Sequence, residues 1–169
     1  DEAREYGFQV HAVGLGAVDG VVQLTKGKEK LEAPVKPLSQ LMASLGHTGR
    51  EITLLKVDCE GCEWDSFAPI FADCAAGRLR FGQLQIEVHL GPFVLRTHEG
   101  LRGKANTTGI HAFFAAADDC GLRLFHKERN GWGCQGHMCI EYAFVSRTAA
   151  LATFFKSRAC PDGAVRGLN

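Results

Sequence analysis

The sequence predicts an α/β fold, a mostly parallel sheet covered by helices with an antiparallel hairpin at one edge. Three observations lead there. Apolar runs of strand length alternate with segments of helical period along most of the chain. Ile52–Val57, six residues of strand character, stop abruptly at three carboxylates, Asp58, Glu60 and Glu63, set around Gly61, and an amphipathic helix follows. The last two strands, Leu122–Glu128 and Cys139–Ser146, are joined by a loop too short for a crossover, which favours an antiparallel pair.

The elements follow in order. Asp1–Tyr6 reads as helical and is closed by Gly7; Phe8–Val13 reads as a strand, Gly14–Gly20 as a turn and Val21–Leu24 as a second strand. The charged stretch Lys26–Glu32 reads as loop. Pro37 opens a helix whose Leu38, Leu41, Met42 and Leu45 recur at i, i+3, i+4 and i+7, and Gly46 closes it. Ile52–Val57 is expected at the sheet centre. Trp64, Phe67, Ala68 and Phe71 repeat the helical spacing as far as Gly77. Gln83–His89 alternates strictly, with Leu84, Ile86 and Val88 on one side and Gln83, Gln85, Glu87 and His89 on the other, so one face must meet polar surroundings. Gly91–Gly109 lacks periodicity and reads as a long loop, a length that in compact domains accompanies function or disorder. Ile110, Phe113, Phe114 and Ala117 mark the last helix, ended by Gly121. Residues 1–150 are read as one domain and 151–169 as a tail, frayed from Cys160 to Asn169.

A chain of 169 residues suits one domain with a real core. Its 19 basic and 19 acidic residues cancel, so bulk charge calls for no nucleic-acid or membrane-surface partner. No apolar run is long enough to span a bilayer. The chain opens at Asp1 in what reads as the middle of a helix, as a fragment or processed product would. Seven cysteines are an odd count, leaving at least one without a partner in the chain. Cys59 and Cys62 with Cys134 and Cys139 are too loosely spaced for a convincing zinc set, and Glu60 between the first pair disfavours a redox thiolate. They are read as small semi-buried side chains, and no metal ligands are assigned.

In an open α/β sheet, ligands bind beyond the carboxyl ends of the strands. Asp58 stands at such an end, with Glu60 and Glu63 on the turn and first helical residues. Acids at a helix N-terminus are also favoured by the helix dipole, which explains one well but not three beside a further acid and imidazole. If Gln83–His89 lies beside Ile52–Val57, a right-handed crossover brings Glu87 and His89 to the same sheet edge as Asp58. Such a constellation can hold a divalent cation, orient a hydroxyl or amine, or supply a general base. A satisfied core histidine remains the alternative for His89. Among weaker candidates, His111 caps or packs, His126 lies within a strand, and Glu141 is expected to pair with Lys127 or Arg123 across the hairpin. Gly14-Leu15-Gly16 is discounted as a dinucleotide loop, because no third glycine and no helix follow.

Leu54–Trp64, Leu-Leu-Lys-Val-Asp-Cys-Glu-Gly-Cys-Glu-Trp, resembles the Lys-Ile-Asp-x-Glu-Gly-x-Glu signature of FkbM-type methyltransferases, and Gln85–His89 resembles the strand that follows it there. Asp1–Val10, Gly14–Gly20, Leu45–His47, Phe125–Asn130 and Cys139–Val145 resemble a eukaryotic branch of methyltransferase-like proteins. The resemblance implies a class I, Rossmann-like fold using S-adenosylmethionine, with the final hairpin as its antiparallel edge. It implies Asp58, Glu60, Glu63, Glu87 and His89 as catalytic residues, with Asp58 and Gly61 touching the cofactor. The implied reaction is O-methylation of a small-molecule or glycan hydroxyl. It also implies that the family's first strand and glycine-rich cofactor loop precede Asp1 and are missing here, as is the acid that would follow Gln9–Ala12 to hold the cofactor ribose; Asp19 is a poor replacement. The sheet is then expected to have a gap between Phe8–Val13 and Ile52–Val57, and the chain to bind cofactor weakly. Two alternatives remain open, a non-catalytic remnant serving as a binding module and a metal-dependent hydrolase-like site on Asp58, Glu87 and His89.

Overall fold

The computed structural model describes residues 6–26, 29–91, 94, 101, 103–131, 134 and 138–151. Strands β1 (Gly14–Leu15), β2 (Gly20–Lys26) and β3 (Glu29–Lys36) form one sheet in the order β1-β3-β2. Strands β4 (Ile52–Val57), β5 (Phe81–His89), β6 (Leu122–Arg129) and β7 (Cys139–Ser146) form a second in the order β4-β5-β7-β6. Helices α1 (Leu38–Ser44), α2 (Glu63–Ala75) and α3 (Thr107–Asp119) lie between β3 and β4, β4 and β5, and β5 and β6.

In the second sheet β4 and β5 are parallel, from Ile52 opposite Phe81 to Val57 opposite Ile86. Strand β7 runs antiparallel to both β5 and β6, so β4, β5 and β6 point one way and β7 the other. The α/β character and the closing hairpin therefore stand as the sequence predicts. Two expectations change. Strand β4 lies at an edge rather than the centre; no other described strand pairs with its free side, and Leu54 is half exposed. Neighbouring pairs are parallel only at β1/β3 and β4/β5, so the described sheets are mixed.

The core lies where β5 and β7 meet α2 and α3. Leu84, Ile86 and Val88 from β5 and Phe144 from β7 are buried with Trp64, Phe67, Ile70 and Phe71 from α2 and Phe113 and Ala117 from α3. The rings of Phe67, Phe71 and Phe113 interlock, with centroids 5.3, 5.6 and 5.0 Å apart in the pairs 67–71, 67–113 and 71–113. Each such side chain, fully buried, contributes about 1.5–3 kcal/mol. A Cys74–Cys120 disulfide ties the carboxyl ends of the two helices. Asn106 caps α3, its Oδ1 accepting from the Gly109 amide at 2.9 Å, so the helix starts within the predicted loop. Position 109 requires glycine, since a Cβ there would stand 1.7 Å from the Lys104 carbonyl oxygen.

The amino-terminal third departs most from expectation. Phe8–Val13 is not a strand; Phe8 and Val10 are exposed, and the first ladder begins only at Gly14, opposite Val35. An alternating segment becomes a strand only when a neighbour takes its backbone hydrogen bonds. Of Lys26–Glu32, predicted as loop, Lys26 and residues 29–32 instead belong to the β2–β3 pair, whose register runs from Gly20 opposite Val35 to Lys26 opposite Glu29; residues 27 and 28 lie outside the described residues. The helix expected over Asp1–Tyr6 falls almost wholly outside the described residues, as do the Cys160–Asn169 tail and much of Gly91–Gly109.

The cysteines are not isolated semi-buried thiols. Cys59 pairs with Cys62, Cys74 with Cys120 and Cys134 with Cys139. Six sulfurs are thereby removed as thiolate ligands, which disposes of the four-cysteine zinc set on chemical grounds; Cys160 lies outside the described residues.

Candidate active site

Strand β4 ends at Val57 and the chain turns sharply through Asp58–Cys62 into α2. The Cys59–Cys62 disulfide closes this turn, with Glu60 and Gly61 inside the ring. Glu60 adopts a left-handed conformation, φ 58°, uncommon for a residue with a side chain, and Gly61 follows at φ 121°. The turn thus folds back over the end of β5.

Glu63 is fully buried at the first turn of α2 and gathers the site. Its Oε2 accepts from the Gly61 amide at 2.9 Å; its Oε1 accepts from the His89 amide at 2.6 Å and lies 3.1 Å from His89 Nδ1. A carboxylate oxygen that already takes a backbone N–H puts the proton of the imidazole on Nδ1, leaving Nε2 to face outward. Trp64 Nε1 donates to the His89 carbonyl at 2.7 Å, so both main-chain polar groups of His89 are tied to α2. His89 is itself 1% exposed. Its Nε2 points at Glu60 Oε2, 3.2 Å away, and Asp58 Oδ1, 3.9 Å away, and those two side chains are about half exposed, 51% and 46%.

Burial pulls the His89 pKa down, but the Glu63 hydrogen bond and the negative charges of Glu63, Glu60 and Glu87 outweigh it, and the result lies above 6.5. His89 is therefore a stronger base than a free imidazole, held in one orientation by a carboxylate, an arrangement suited to moving a proton at Nε2.

Of the residues picked from sequence, Asp58, Glu60, Glu63 and His89 converge, as the parallel pairing of β4 with β5 requires. Gly61 belongs to the same turn, but its amide is engaged by Glu63. Glu87 is buried beside them, with a carboxylate oxygen within 4.8 Å of a His89 ring nitrogen, and its Oε1 accepts from Asn130 Nδ2 at 2.8 Å. Glu141, opposite Glu87 in register, pairs with Lys56 at 2.7 Å, reaching across β5 rather than to Lys127 or Arg123. His111 and His126 are exposed, and Gly14-Leu15 is strand, not phosphate loop.

Three features escaped the sequence reading. The pairing of Cys59 with Cys62 had a signal, the C-x-x-C spacing, which was set aside as a redox motif; the Asn130 bond to Glu87 carries none. The orienting role of Glu63 did have one: it stands four and seven residues before Phe67 and Ile70, on the buried stripe of α2, where a carboxylate must find partners.

No curated protein and no solved structure matches the chain. A family model described as a methyltransferase domain matches residues 2–146, nearly the whole of the described structure and both sides of this site. The chain therefore belongs to the methyltransferase-domain family.

Proposed function

We propose that the chain is the acceptor-side part of an S-adenosylmethionine-dependent methyltransferase of the FkbM type, transferring methyl to a hydroxyl of a small molecule or glycan. The observation that carries this reading is the buried Glu63–His89 pair facing Asp58 and Glu60 at the carboxyl ends of β4 and β5. S-adenosylmethionine supplies an electrophilic methyl group on a cationic sulfur. Residues of this chain do the rest: Glu63 holds the ring, His89 Nε2 takes the proton of the attacking hydroxyl, and Asp58 and Glu60 orient it.

The donor set fits the cofactor in part. The half-exposed carboxylates of Asp58 and Glu60 suit its cationic end. For adenosine the described residues offer no match: 8–13 carry no acid, and Asp19 is occupied by Lys36 at 2.6 Å. The free edge of β4 supports a Rossmann-like sheet completed by a further strand on that side. The three disulfides support placement in an oxidising compartment.

Titration calorimetry with S-adenosylhomocysteine tests the proposal on this chain and on one extended upstream. Binding by the extended chain alone is expected. Folded proteins that both fail to bind would overturn it in favour of a non-catalytic remnant.

A further inference from the structure

We infer that Asp58, Glu60 and His89 form a binding site for one divalent cation of the Mn²⁺ and Zn²⁺ class. One Oδ of Asp58, one Oε of Glu60 and Nε2 of His89 lie within 4.8 Å of one another. Ligands about 2.1 Å from a common ion stand about 3–4.2 Å apart, and the measured separations from Nε2, 3.2 and 3.9 Å, fall in that interval.

The acids alone would not make a site; the imidazole does. His89 is 1% exposed, and its Nδ1 is engaged by Glu63, so the Nε2 lone pair is directed into the cluster. Among the described residues Nε2 meets no hydrogen-bond donor, only two carboxylates. Two carboxylates converging on Nε2 call for a positive centre between them, which the ring's own proton supplies when no ion is bound and a divalent cation supplies by displacing it. The buried carboxylate behind the ring is the outer-shell partner that metal-bound histidines characteristically have, fixing the tautomer and raising basicity. The ring-closed turn that holds Glu60 left-handed fixes the third ligand in place.

A second grouping of possible ligands, Glu87, His89, Cys134 and Cys139, is weaker, because its two sulfurs form a disulfide and offer no thiolate. One imidazole and two carboxylates suit Mn²⁺ or Zn²⁺ better than Ca²⁺, which prefers oxygen alone. The half-exposed acids leave the remaining coordination positions open to water or a substrate hydroxyl. A coordinated Nε2 has no lone pair left to take a proton, so with the ion bound the ion, as a Lewis acid on that hydroxyl, takes the place of the base role given to His89 in the ion-free chain; that use rests on the methyl-transfer reading, and the binding does not.

The test is Mn²⁺ titration into the chelator-stripped, disulfide-intact chain, read by calorimetry and by loss of the free Mn²⁺ electron paramagnetic resonance signal, with no methyl donor present. One ion per chain is expected. Asp58→Asn and Glu60→Gln, changes of the same size at exposed side chains, should each weaken binding by more than the roughly 10–100-fold that Glu63→Gln, which only positions the ring, should cost. His126→Gln, at a distant exposed histidine, should leave it unchanged. No binding by the folded chain, or equal binding by the Asp58 and Glu60 variants, overturns the site. Neither result bears on S-adenosylhomocysteine binding by the extended chain, so the two readings fail separately.

Discussion

On one face of β5, Leu84, Ile86 and Val88 lie beneath α2 and α3; on the other, Gln83 is exposed, Gln85 half-buried, and Glu87 and His89 are buried. The first face is covered along its length by helices that exclude water. Among the described residues the carboxyl end of the second is covered by the disulfide-closed turn after β4 and by Asn130, while Gln83 and Gln85 at its middle stay in contact with solvent. Burial on the apolar face is driven by area, whereas on the polar face each buried group needs a named partner. A damaged apolar face should therefore cost stability broadly, and a damaged polar face should cost a specific contact.

The largest effect is expected on the apolar face. Phe67→Ala removes a ring packed on Phe71 and Phe113 and should lower unfolding free energy by about 3–5 kcal/mol. Denaturant midpoints at unchanged slope would check it; a loss below about 1 kcal/mol would mean that the aromatic cluster repacks.

The disulfides sharpen the contrast. Cys74–Cys120, behind the apolar face, spans 46 residues, and Cys59–Cys62, at the site, spans 3. Loop-closure entropy gives about 4 kcal/mol for the first and about 2 kcal/mol for the second. Cys74→Ala/Cys120→Ala should thus lower the melting temperature more than Cys59→Ala/Cys62→Ala. The reverse order would show that the turn around Glu60 holds far more than its own loop.

The same division decides what could be read in advance. The apolar face was legible because alternation in 83–89 and helical spacing in 64–71 and 110–117 each name a buried stripe. Positions of Asp58, Glu60 and His89 followed from strand ends and one parallel pairing. Strand β2 was read in its middle, as Val21–Leu24, but its hairpin partner β3 was not legible: Val21 and Leu31 are exposed, so the ladder rests on backbone pairing without an apolar face to announce it. The partners of Glu141 and Glu87 were not legible either, since they depend on which long side chain crosses a strand, Lys56 in one case and Asn130 in the other. Strand β4 was misplaced at the centre because its residues, Ile-Thr-Leu-Leu-Lys-Val, read the same whether one neighbour or two flank them.

On the polar face Glu63→Gln should cost about 1–3 kcal/mol. Both carboxylate oxygens accept backbone N–H groups, from His89 and Gly61, so either orientation of the amide turns an NH₂ toward a donor. Glu63→Leu should cost more, and thermal melts of the pair would rank them. Equal melting of wild type and Glu63→Gln would mean that the two amides find other acceptors.

The smallest effect is a pH slope. In the chelator-stripped chain His89 has a folded-state pKa above its ordinary 6.5, because Glu63, Glu60 and Glu87 together overcome the opposing cost of burial. The groups facing it are Asp58 and Glu60 from the turn, Glu63 from α2 and Glu87 from β5 itself, all carboxyl groups. A raised pKa means that the folded state holds this proton more tightly than the unfolded state. The stabilisation is complete below about pH 6.5 and is lost as pH rises through the folded value. Relative to His89→Gln, the wild-type melting temperature should fall as pH rises above about 6.5, and the difference should level off below that value and again above the folded-state pKa. Parallel profiles would mean that the ring gains no more from its carboxylates than it loses to burial, and the polar face would then owe its order to the backbone bonds of Glu63 and Trp64 alone.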